Sequence, residues 1–394
     1  MFADRAGWDL TPNALAQRLA ALRAAGADII DLTESNPTRC SFSYPPELLA
    51  PLADPGSFRY EPSPKGLLSA RESICRYYAE QRGVAVEPEQ VVLTASSSEA
   101  YSWIFRLLAN PGDRVLAPQP SYPLFGYLAG LNDVRLDPYP LVYGDGWRVD
   151  PDRLRAAVQP DARAIIAVNP NNPTGSLLSA EDLQVLQELG QSGGSALICD
   201  EVFADYLYPE SVGWFRNAAS RSDMLTFTLG GISKSLGLPQ MKLGWIVVTG
   251  PKSLRDDALA RLEVIADTYL SVNTPVQRAL PQWMEQRQTI RQQILQRVLD
   301  NRRYLIERSE ASGVCRVLQA DGGWYAVLRV PNVSDEERFC LDLLARDHVL
   351  LHPGYFFDFP NTGYLILSLL LRSDKFCNGV KCLLQHLVIA GDSA

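Results

Sequence analysis

Polar residues that could carry out chemistry follow three apolar segments of the sequence. The segment AIIAV leads into NPNNPTG at residues 169–175, ALIC leads into Asp200, and LTFTL leads into GGISK, which contains Lys234. An amide, an acid and an amine therefore each come directly after an apolar run. Each also has an ordinary alternative, because asparagine and proline favour turns, an aspartate can cap a helix and a lysine can reach solvent.

The amine is the most informative of the three groups. Lysines are few, since only six occur in 394 residues, and Lys234 lies between two runs that read as core strands. Burying an ammonium group costs free energy unless the group is paired, neutralised or used covalently. Lys234 is therefore a candidate for a nucleophilic amine.

The segments around these residues predict the architecture that positions them. Over residues 91–248, seven apolar runs alternate with amphipathic, helix-length stretches such as SEAYSWIFRLLAN and SAEDLQVLQELGQS. This alternation predicts an α/β fold with a mainly parallel, seven-stranded sheet sandwiched by helices. Ligands of such sheets bind beyond the carboxyl ends of the strands, which is where the three polar segments lie.

The pattern changes after residue 275. A long stretch with helical spacing ends near Gly313, and it is followed by strands around a Gly-Gly turn in VCRVLQADGGWYAVLRVP, a helix in DEERFCLDLLARD and a buried strand in GYLILSLLL. We therefore predict a large domain over residues 46–275 and a smaller α+β domain formed by residues 1–45 and 276–394.

Composition argues against several classes of partner. The net charge of −8 argues against a nucleic-acid partner, because neutralising phosphates requires a basic face. The longest uninterrupted apolar run, residues 364–371, is too short to span a bilayer. The seven cysteines are odd in number and lack metal-ligand spacing, which predicts reduced thiols in a cytoplasmic protein and no metal site.

Taken together, the motifs resemble those of the pyridoxal-phosphate (PLP) dependent aminotransferases of class I/II, which have the PLP fold type I. The resemblance covers almost the whole chain and is carried by YEPSPKGLLSARESICRYY, LTASSSEAYSWIFRLLANPGDRVLAPQPSYPLF, NPNNPTG, DEVFADY, ISKSLGLPQMKLGW and GGWYAVLRV. It implies that PLP is the cofactor and that an amino group moves between an amino donor and a keto acceptor.

The resemblance also implies a role for each matching residue around the ring of the cofactor. Lys234 would form a Schiff base with the PLP aldehyde and later carry a proton. Asp200 would face the pyridine nitrogen, Asn172 would hydrogen-bond the phenolic oxygen, and Tyr122 would stack on the ring.

The phosphate of the cofactor has its own expected contacts. Ser97 and Ser98 open a predicted helix after the strand VVLT, and a helix N-terminus is an anion site. Lys242 matches a further phosphate contact, and Ser233 is a further candidate for cofactor binding. Tyr60 matches a tyrosine that reaches the phosphate from the other subunit, so the resemblance implies a homodimer.

Three departures from the family pattern concern the cofactor. Phe203 replaces a tyrosine that donates to the phenolic oxygen; losing one neutral hydrogen bond costs about 1 kcal/mol and is expected to raise the pKa of the Schiff base. Gly231 replaces a frequent serine. Lys242 replaces an arginine, so the positive charge is kept but the ammonium group cannot make the bidentate contact of a guanidinium group. Phosphate binding is expected to survive all three changes.

A fourth departure concerns the substrate. Ile366, two residues before Ser368, stands where the family has the arginine that grips the substrate carboxylate. Arg372 lies six residues farther on, about 20 Å away in a strand, and cannot simply replace it. Arg39, in the same segment as Asn36, is the preferred anion anchor. Two alternatives stay open: Arg39 is a surface residue, or the substrate has no α-carboxylate there.

These observations predict a PLP-dependent aminotransferase whose donor and acceptor the sequence does not reveal. A PLP-dependent lyase that catalyses β-elimination is the alternative on the same scaffold. A PLP-binding regulatory module is a third, although the N-terminal residues offer only one short helix and a strand where such modules carry a DNA-binding extension. A nicotinamide dehydrogenase does not fit, since no G-x-G-x-x-G follows a strand.

Overall fold

Helices and strands alternate through most of the chain. The computed structural model describes residues 1–159, 161–220 and 223–392. Within these ranges the α-helices are α1 Ala14–Ala24, α2 Leu68–Arg82, α3 Ser97–Leu108, α4 Phe125–Leu131, α5 Pro151–Ala157, α6 Ala180–Gly193, α7 Ile232–Ser235, α8 Lys252–Tyr269, α9 Thr274–Glu285, α10 Gln288–Ser312, α11 Glu336–Asp347 and α12 Ser373–Asp392. The strands are β1 Ile30–Asp31, β2 Val91–Thr94, β3 Arg114–Gln119, β4 Arg135–Gly144, β5 Gly146–Val149, β6 Ala162–Val168, β7 Ala196–Asp200, β8 Thr226–Gly231, β9 Gly244–Thr249, β10 Arg316–Val317, β11 Tyr325–Arg329, β12 Val349–Leu350, β13 His352–Pro353 and β14 Tyr364–Ser368.

The large sheet has the order β2-β9-β8-β7-β6-β3-β4-β5. The pairs from β4 through β3, β6 and β7 to β8 are parallel, and β9 runs antiparallel to both of its neighbours. The predicted mainly parallel sheet between helices is therefore confirmed. Helices α3, α4 and α8 pack on one face, and α5 and α6 pack on the other.

The predicted number of strands in this sheet was wrong, because eight strands are present instead of seven. The additional strand is β5, which returns antiparallel to β4 after a turn at Asp145. Gly146, at φ 107°, occupies a backbone region that side chains disfavour, so the chain can reverse there without strain. The sequence GWRV was missed because the exposed Arg148 interrupts it, so it contains no continuous apolar run.

The second half of the chain forms a smaller sheet of order β10-β11-β14-β13, antiparallel throughout. A separate parallel pair joins β1 to β12. Helix α10 ends at Gly313, with φ 68°, as the sequence predicts, and the helix α11 and strands β11 and β14 are confirmed as well. The predicted boundary at residue 275 falls in the first turn of α9, which packs on α2. The division into two domains stays a prediction.

Helix composition bears on membrane insertion. Among the described residues, every helix is either too short or too polar to cross a bilayer.

Candidate active site

Three neighbouring parallel strands bring the predicted chemical groups to one edge of the large sheet. Strands β6, β7 and β8 are adjacent, and they end just before Asn169, at Asp200 and at Gly231. The ladder continues past the strand ends, since the Asn169 amide donates to the Asp200 carbonyl at 2.8 Å. Lys234 follows within α7, one helical turn beyond the end of β8. The sequence order therefore places the acid, the amide segment and the amine side by side.

Aromatic rings surround the Lys234 amine. Its Nζ atom lies 4.7 Å from the ring centroid of Trp324 and 5.4 Å from that of Phe203. The Tyr206 hydroxyl donates to the Lys234 carbonyl at 2.7 Å, which fixes the backbone. Burial lowers the pKa of Lys234 to about 8, and the charge of Asp200 partly opposes this shift. A substantial neutral fraction near physiological pH is what a nucleophilic amine requires.

Asp200 is buried and fixed by two donors. The Tyr101 hydroxyl donates to Oδ2 at 3.2 Å, and the Val202 amide donates to Oδ1 at 3.1 Å. Burial raises the pKa of Asp200 to about 6, while these hydrogen bonds and Lys234 lower it. A buried carboxylate of this kind is stabilised when a cationic group binds beside it.

Tyr101 was not predicted from the sequence. It lies on the sheet-facing side of α3, one helical turn after Ser97, and is fully buried. A signal existed, because residues four apart share a helix face and Ser97 was already assigned to the site. The contact with Asp200 joins residues 99 positions apart, which no local pattern specifies.

The predicted phosphate contacts gather at the N-terminus of α3. Ser96 caps the helix, which leaves Ser97 and Ser98 in the first turn, where backbone N–H groups have no partner within the helix. Such a terminus attracts anions. The start of β9 passes directly behind it, since a Cβ on Gly244 would lie 3.1 Å from the Ser96 carbonyl carbon. Lys242 lies two residues earlier and is exposed.

The close packing of β8 against β9 explains the glycine at position 231. A Cβ on Gly231 would lie 3.3 Å from both the Gly244 Cα and the Leu243 carbonyl oxygen. A serine at this position would need the two strands to separate by a few tenths of an ångström. Ser233 is half-buried in α7, two residues after Gly231.

Asn172 and Tyr122 complete the predicted contacts to the cofactor ring. Asn172 is buried, and its Oδ1 has no hydrogen-bond partner among the described residues. Tyr122 is half-buried, and its pKa is raised to about 12 by burial and by the nearby charge of Asp200. The structure thus brings Tyr122 into the neighbourhood of the acid, while its stacking on a ring stays a prediction.

These groups match the chemistry of PLP. The cofactor offers a basic ring nitrogen, a phenolic oxygen, an aldehyde and a phosphate, and the chain offers a buried acid, an unpartnered amide, an amine and a helix N-terminus. A buried polar atom without a partner costs free energy, so the orphaned Oδ1 of Asn172, an acceptor, indicates a binding site for a polar ligand. The residues present therefore fit the cofactor.

The N-terminal segment borders the aromatic wall of the site. The Ser35 side chain lies beside Tyr325; burial raises the pKa of the Tyr325 hydroxyl and Ser35 lowers it, and the Tyr325 ring centroid lies 6.4 Å from that of Phe203. The Asn36 side chain accepts from Thr38 and caps a short turn, so it is engaged locally.

Arg39 follows Asn36 in this segment. Its side chain is exposed, and its Nη1 lies 3.7 Å from the Glu34 Oε2 atom. A solvated pair at this distance contributes little to stability, so the guanidinium is free to change partners. The structure shows where Arg39 lies, while its contact with a substrate stays a prediction.

Ile366 is fully buried in β14. It pairs with Val327 of β11 and with His352 of β13, so the three side chains share one face of the small sheet. Val327 and Phe357 belong to the same apolar cluster as Ile366. In this arrangement the position is filled by apolar packing, and a contact between Ile366 and a substrate stays a prediction.

Tyr60 lies at the surface of the single chain. Its side chain is 76% exposed and lines a surface groove with Trp103 and Ser271. Among the described residues it makes no hydrogen bond or ring contact with Lys234 or Asp200. This position is compatible with a contact made to a second subunit.

Comparison with known proteins assigns the family. Residues 27–368 match the family described as aminotransferase class I and II. Glutamate-pyruvate aminotransferase AlaA of Haemophilus influenzae is 30% identical over 351 residues, which cover 87% of this chain and 86% of that protein. An alanine aminotransferase of Mycobacterium tuberculosis is 29% identical, covering 94% and 88%.

Solved structures agree with this assignment. An aminotransferase from Escherichia coli superimposes with a TM-score of 0.88 at 26% identity and covers 98% of both chains. An alanine aminotransferase from Pyrococcus furiosus has a TM-score of 0.90 and covers 99% of this chain and 100% of that chain; at 22% identity it supports the fold alone. The chain therefore belongs to the class I and II aminotransferases, PLP-dependent enzymes of fold type I that move an amino group from a donor to a keto acceptor.

Proposed function

We propose that this enzyme transfers the amino group between glutamate and pyruvate, with Lys234 as the amine that binds PLP and Asp200 as the acid that faces its ring nitrogen. The substrate pair is supported by the names of the relatives, which are glutamate-pyruvate and alanine aminotransferases. The observation that supports the residue roles is that a carboxylate and an amine follow the neighbouring parallel strands β7 and β8, where burial raises the pKa of Asp200 and lowers the pKa of Lys234. When bound, PLP supplies an aldehyde that joins to amines and a ring that accepts carbanion charge.

Asp200 has a defined task in this proposal. Its carboxylate is unfavourably buried, so a protonated ring nitrogen would restore a partner and would keep its own proton. The Tyr101 hydroxyl and the Val202 amide hold the carboxylate in one orientation, which aims it at a single atom. Asp200 would thereby favour the protonated form of the ring nitrogen.

Lys234 serves as base and acid once the substrate amine has displaced it. With a pKa near 8, the amine can take a proton from the substrate carbon and return it to the cofactor carbon. The rings of Phe203 and Trp324 flank the amine on two sides. The Lys234 amine would then carry the proton between the substrate carbon and the cofactor carbon.

Arg39 is the proposed anchor for the substrate carboxylate. It is the cation of the segment that borders Tyr325, and its present pair with Glu34 is long and solvated. Exchanging that pair for a bidentate contact with a carboxylate would gain a stronger, less solvated interaction.

The enzyme is proposed to act as a homodimer in the cytoplasm. Phe58, Tyr60 and Leu68 expose large apolar surfaces near one another in sequence, which a second subunit would cover. The seven cysteines are free thiols, which suits a reducing compartment.

Mixing two variants that are each impaired in PLP binding tests the shared site. A chain with Lys234→Ala and a chain with Tyr60→Phe would form one site that carries both changes and one wild-type site. One of the two sites of the mixed dimer should therefore bind PLP as tightly as the wild-type protein does. Sedimentation of a monomer, or no recovery on mixing, would contradict the proposal.

Separate half-reactions test the function. The holoenzyme is mixed with L-glutamate or L-alanine alone, while absorption reports the amine form of the cofactor and mass spectrometry reports the keto acid. Transamination predicts that the amine form accumulates together with one equivalent of 2-oxoglutarate or pyruvate. Release of ammonia from a β-substituted alanine, without the amine form, would favour the lyase instead.

A further inference from the structure

Tyr325 is a polar residue beside the site to which the proposed reaction assigns no role. It is the first residue of β11 and is half-buried, so part of its side chain keeps access to solvent, whereas the preceding Trp324 is fully buried. Burial raises the pKa of Tyr325, so its hydroxyl keeps its proton and can donate a hydrogen bond. A protonated hydroxyl on a partly open side chain is suited to binding a polar ligand.

Aromatic contacts place Tyr325 next to the catalytic amine. The Phe203 ring centroid lies 5.4 Å from the Lys234 Nζ atom and 6.4 Å from the Tyr325 ring centroid. On another side, the Phe357 ring lies 6.0 Å from that of Tyr325, and the Phe357 carbonyl accepts a hydrogen bond from the amide of Ser121, in the loop after β3. Tyr325 therefore borders the space between the amine and this loop.

The neighbours of Tyr325 on the small sheet are apolar or engaged. Tyr325 pairs with Ser368 across β11 and β14. Ser368 is fully buried, and its hydroxyl accepts a hydrogen bond from the Leu370 amide at 3.2 Å. Val327 and Ile366 form the next pair on the same face and have no polar atom in their side chains. Of these four paired side chains, Tyr325 is therefore the one that can offer a donor to a ligand.

The N-terminal segment brings polar groups to the Tyr325 hydroxyl. The half-buried Ser35 lies beside it and lowers its pKa, whereas the charge of Glu34 raises it. Glu34 already has partners, since its Oε1 accepts from the Asn36 amide at 2.9 Å and its Oε2 lies 3.7 Å from the Arg39 guanidinium. Two hydroxyls and a nearby cation together match a carboxylate, which accepts several hydrogen bonds.

We propose that the Tyr325 hydroxyl donates a hydrogen bond to the carboxylate of the amino-acid substrate, next to Ser35. This inference rests on the proposed function, because it assigns a recognition residue to the same site. Arg39 would attract the carboxylate, and Tyr325 would fix its orientation from the small sheet, where Ile366 offers no polar group. Tyr325 is then a substrate-binding residue without a part in proton transfer.

Removing this donor should weaken the binding of carboxylates without slowing the reaction of bound substrate. A hydrogen bond to a charged group contributes about a ten-fold factor to binding. In Tyr325→Phe, KM for glutamate should therefore rise about ten-fold, with kcat within about two-fold. The affinity for PLP should stay at the wild-type value, because the hydroxyl is assigned to the substrate.

The test compares holoenzymes with two aminooxy reagents, of which only one carries a carboxylate. Aminooxyacetate and methoxyamine both attack the aldehyde carbon of the cofactor, and loss of the visible absorption band reports the rate. Tyr325→Phe removes one oxygen atom and keeps the ring, so the aromatic contacts and the fold are kept. Tyr364→Phe is the matched control, because Tyr364 is also half-buried, stacks on Phe359 and lies at the opposite end of the same strand pair.

The expected result is that aminooxyacetate, below saturation, reacts about ten-fold more slowly with Tyr325→Phe than with the wild-type protein, while methoxyamine reacts at the wild-type rate. The control should match the wild-type protein with both reagents. Equal slowing with both reagents would overturn the proposal, because Tyr325 would then act on the aldehyde or on packing, and so would an unchanged rate with aminooxyacetate. Failure of the proposed function is distinguishable, since the wild-type protein would then not give the amine form of the cofactor with glutamate.

Discussion

Replacing the buried carboxylate of Asp200 with a neutral group is expected to raise the stability of the cofactor-free protein and to weaken PLP binding. In the cofactor-free protein, Asp200→Asn keeps the shape of the side chain but removes the buried charge. The variant should unfold at a higher temperature than the wild-type protein at pH 8, although it should bind PLP poorly. Both effects have the same cause, which is that the folded protein disfavours the ionised carboxylate of Asp200.

The magnitude follows from the pKa. Raising it from 3.8 to about 6 means that ionisation costs the folded state about 3 kcal/mol relative to the unfolded chain. Asparagine keeps an acceptor for the Val202 amide but turns a donor toward the Tyr101 hydroxyl, which costs about 1 kcal/mol. The net gain at pH 8 is about 2 kcal/mol. For 394 residues, the unfolding entropy converts this gain to a rise in Tm of about 2–3 °C.

The dependence on pH identifies the cause. Since the pKa of Asp200 is raised on folding, its favourable contribution is complete below pH 3.8 and is lost as the pH rises to about 6. At pH 4.5 the ionisation of Asp200 costs the folded wild-type protein only about 1 kcal/mol. This cost is about equal to that of the hydrogen bond lost in Asp200→Asn, so the two proteins should unfold at the same temperature. The difference should then grow with pH and become constant above pH 7.

Calorimetry of the cofactor-free proteins between pH 4.5 and pH 8 provides the assay. Asp182→Asn is the control, because that buried carboxylate accepts from the Ser179 and Val149 amides and should lose stability when one acceptor is removed. An Asp200→Asn protein that is less stable than wild type at pH 8, or a difference that does not vary with pH, would refute the reasoning.

Two further predictions concern the substrate side of the site. Arg39→Ala should raise KM for glutamate about ten-fold with kcat within about two-fold, whereas Arg39→Lys should show a smaller rise; steady-state kinetics would count against the anchor if both values stayed at wild type. Ile366→Arg should lower the free energy of unfolding by roughly 3–5 kcal/mol in urea titrations, because the guanidinium would enter a fully buried apolar cluster; unchanged stability together with faster turnover would show that the position opens into the substrate pocket.

The sequence predicted the elements that carry strong local signals. The apolar runs before Asn169, Asp200 and Gly231 are strands of one parallel sheet, and this adjacency alone placed the acid and the amine together. The eighth strand was missed because it is only four residues long and contains the exposed Arg148, so it carries no apolar run.

Contacts between distant segments were beyond local patterns. Tyr101 meets Asp200 across the interior, and Trp324 reaches Lys234 from the start of a strand in the other sheet. The resemblance drew attention to the motif GGWYAVLRV without assigning a task to its tryptophan. Packing, rather than sequence spacing, brings that ring to the amine.

The most direct test of the central claim is to reduce the holoenzyme with borohydride and to locate the attached cofactor by peptide mass spectrometry. A Schiff base between PLP and Lys234 predicts that the reduced pyridoxyl phosphate is found on the peptide that contains Lys234, and that Lys234→Ala removes the label. A label on Lys65, Lys242 or another lysine, or no label on a protein that retains PLP, would contradict the account.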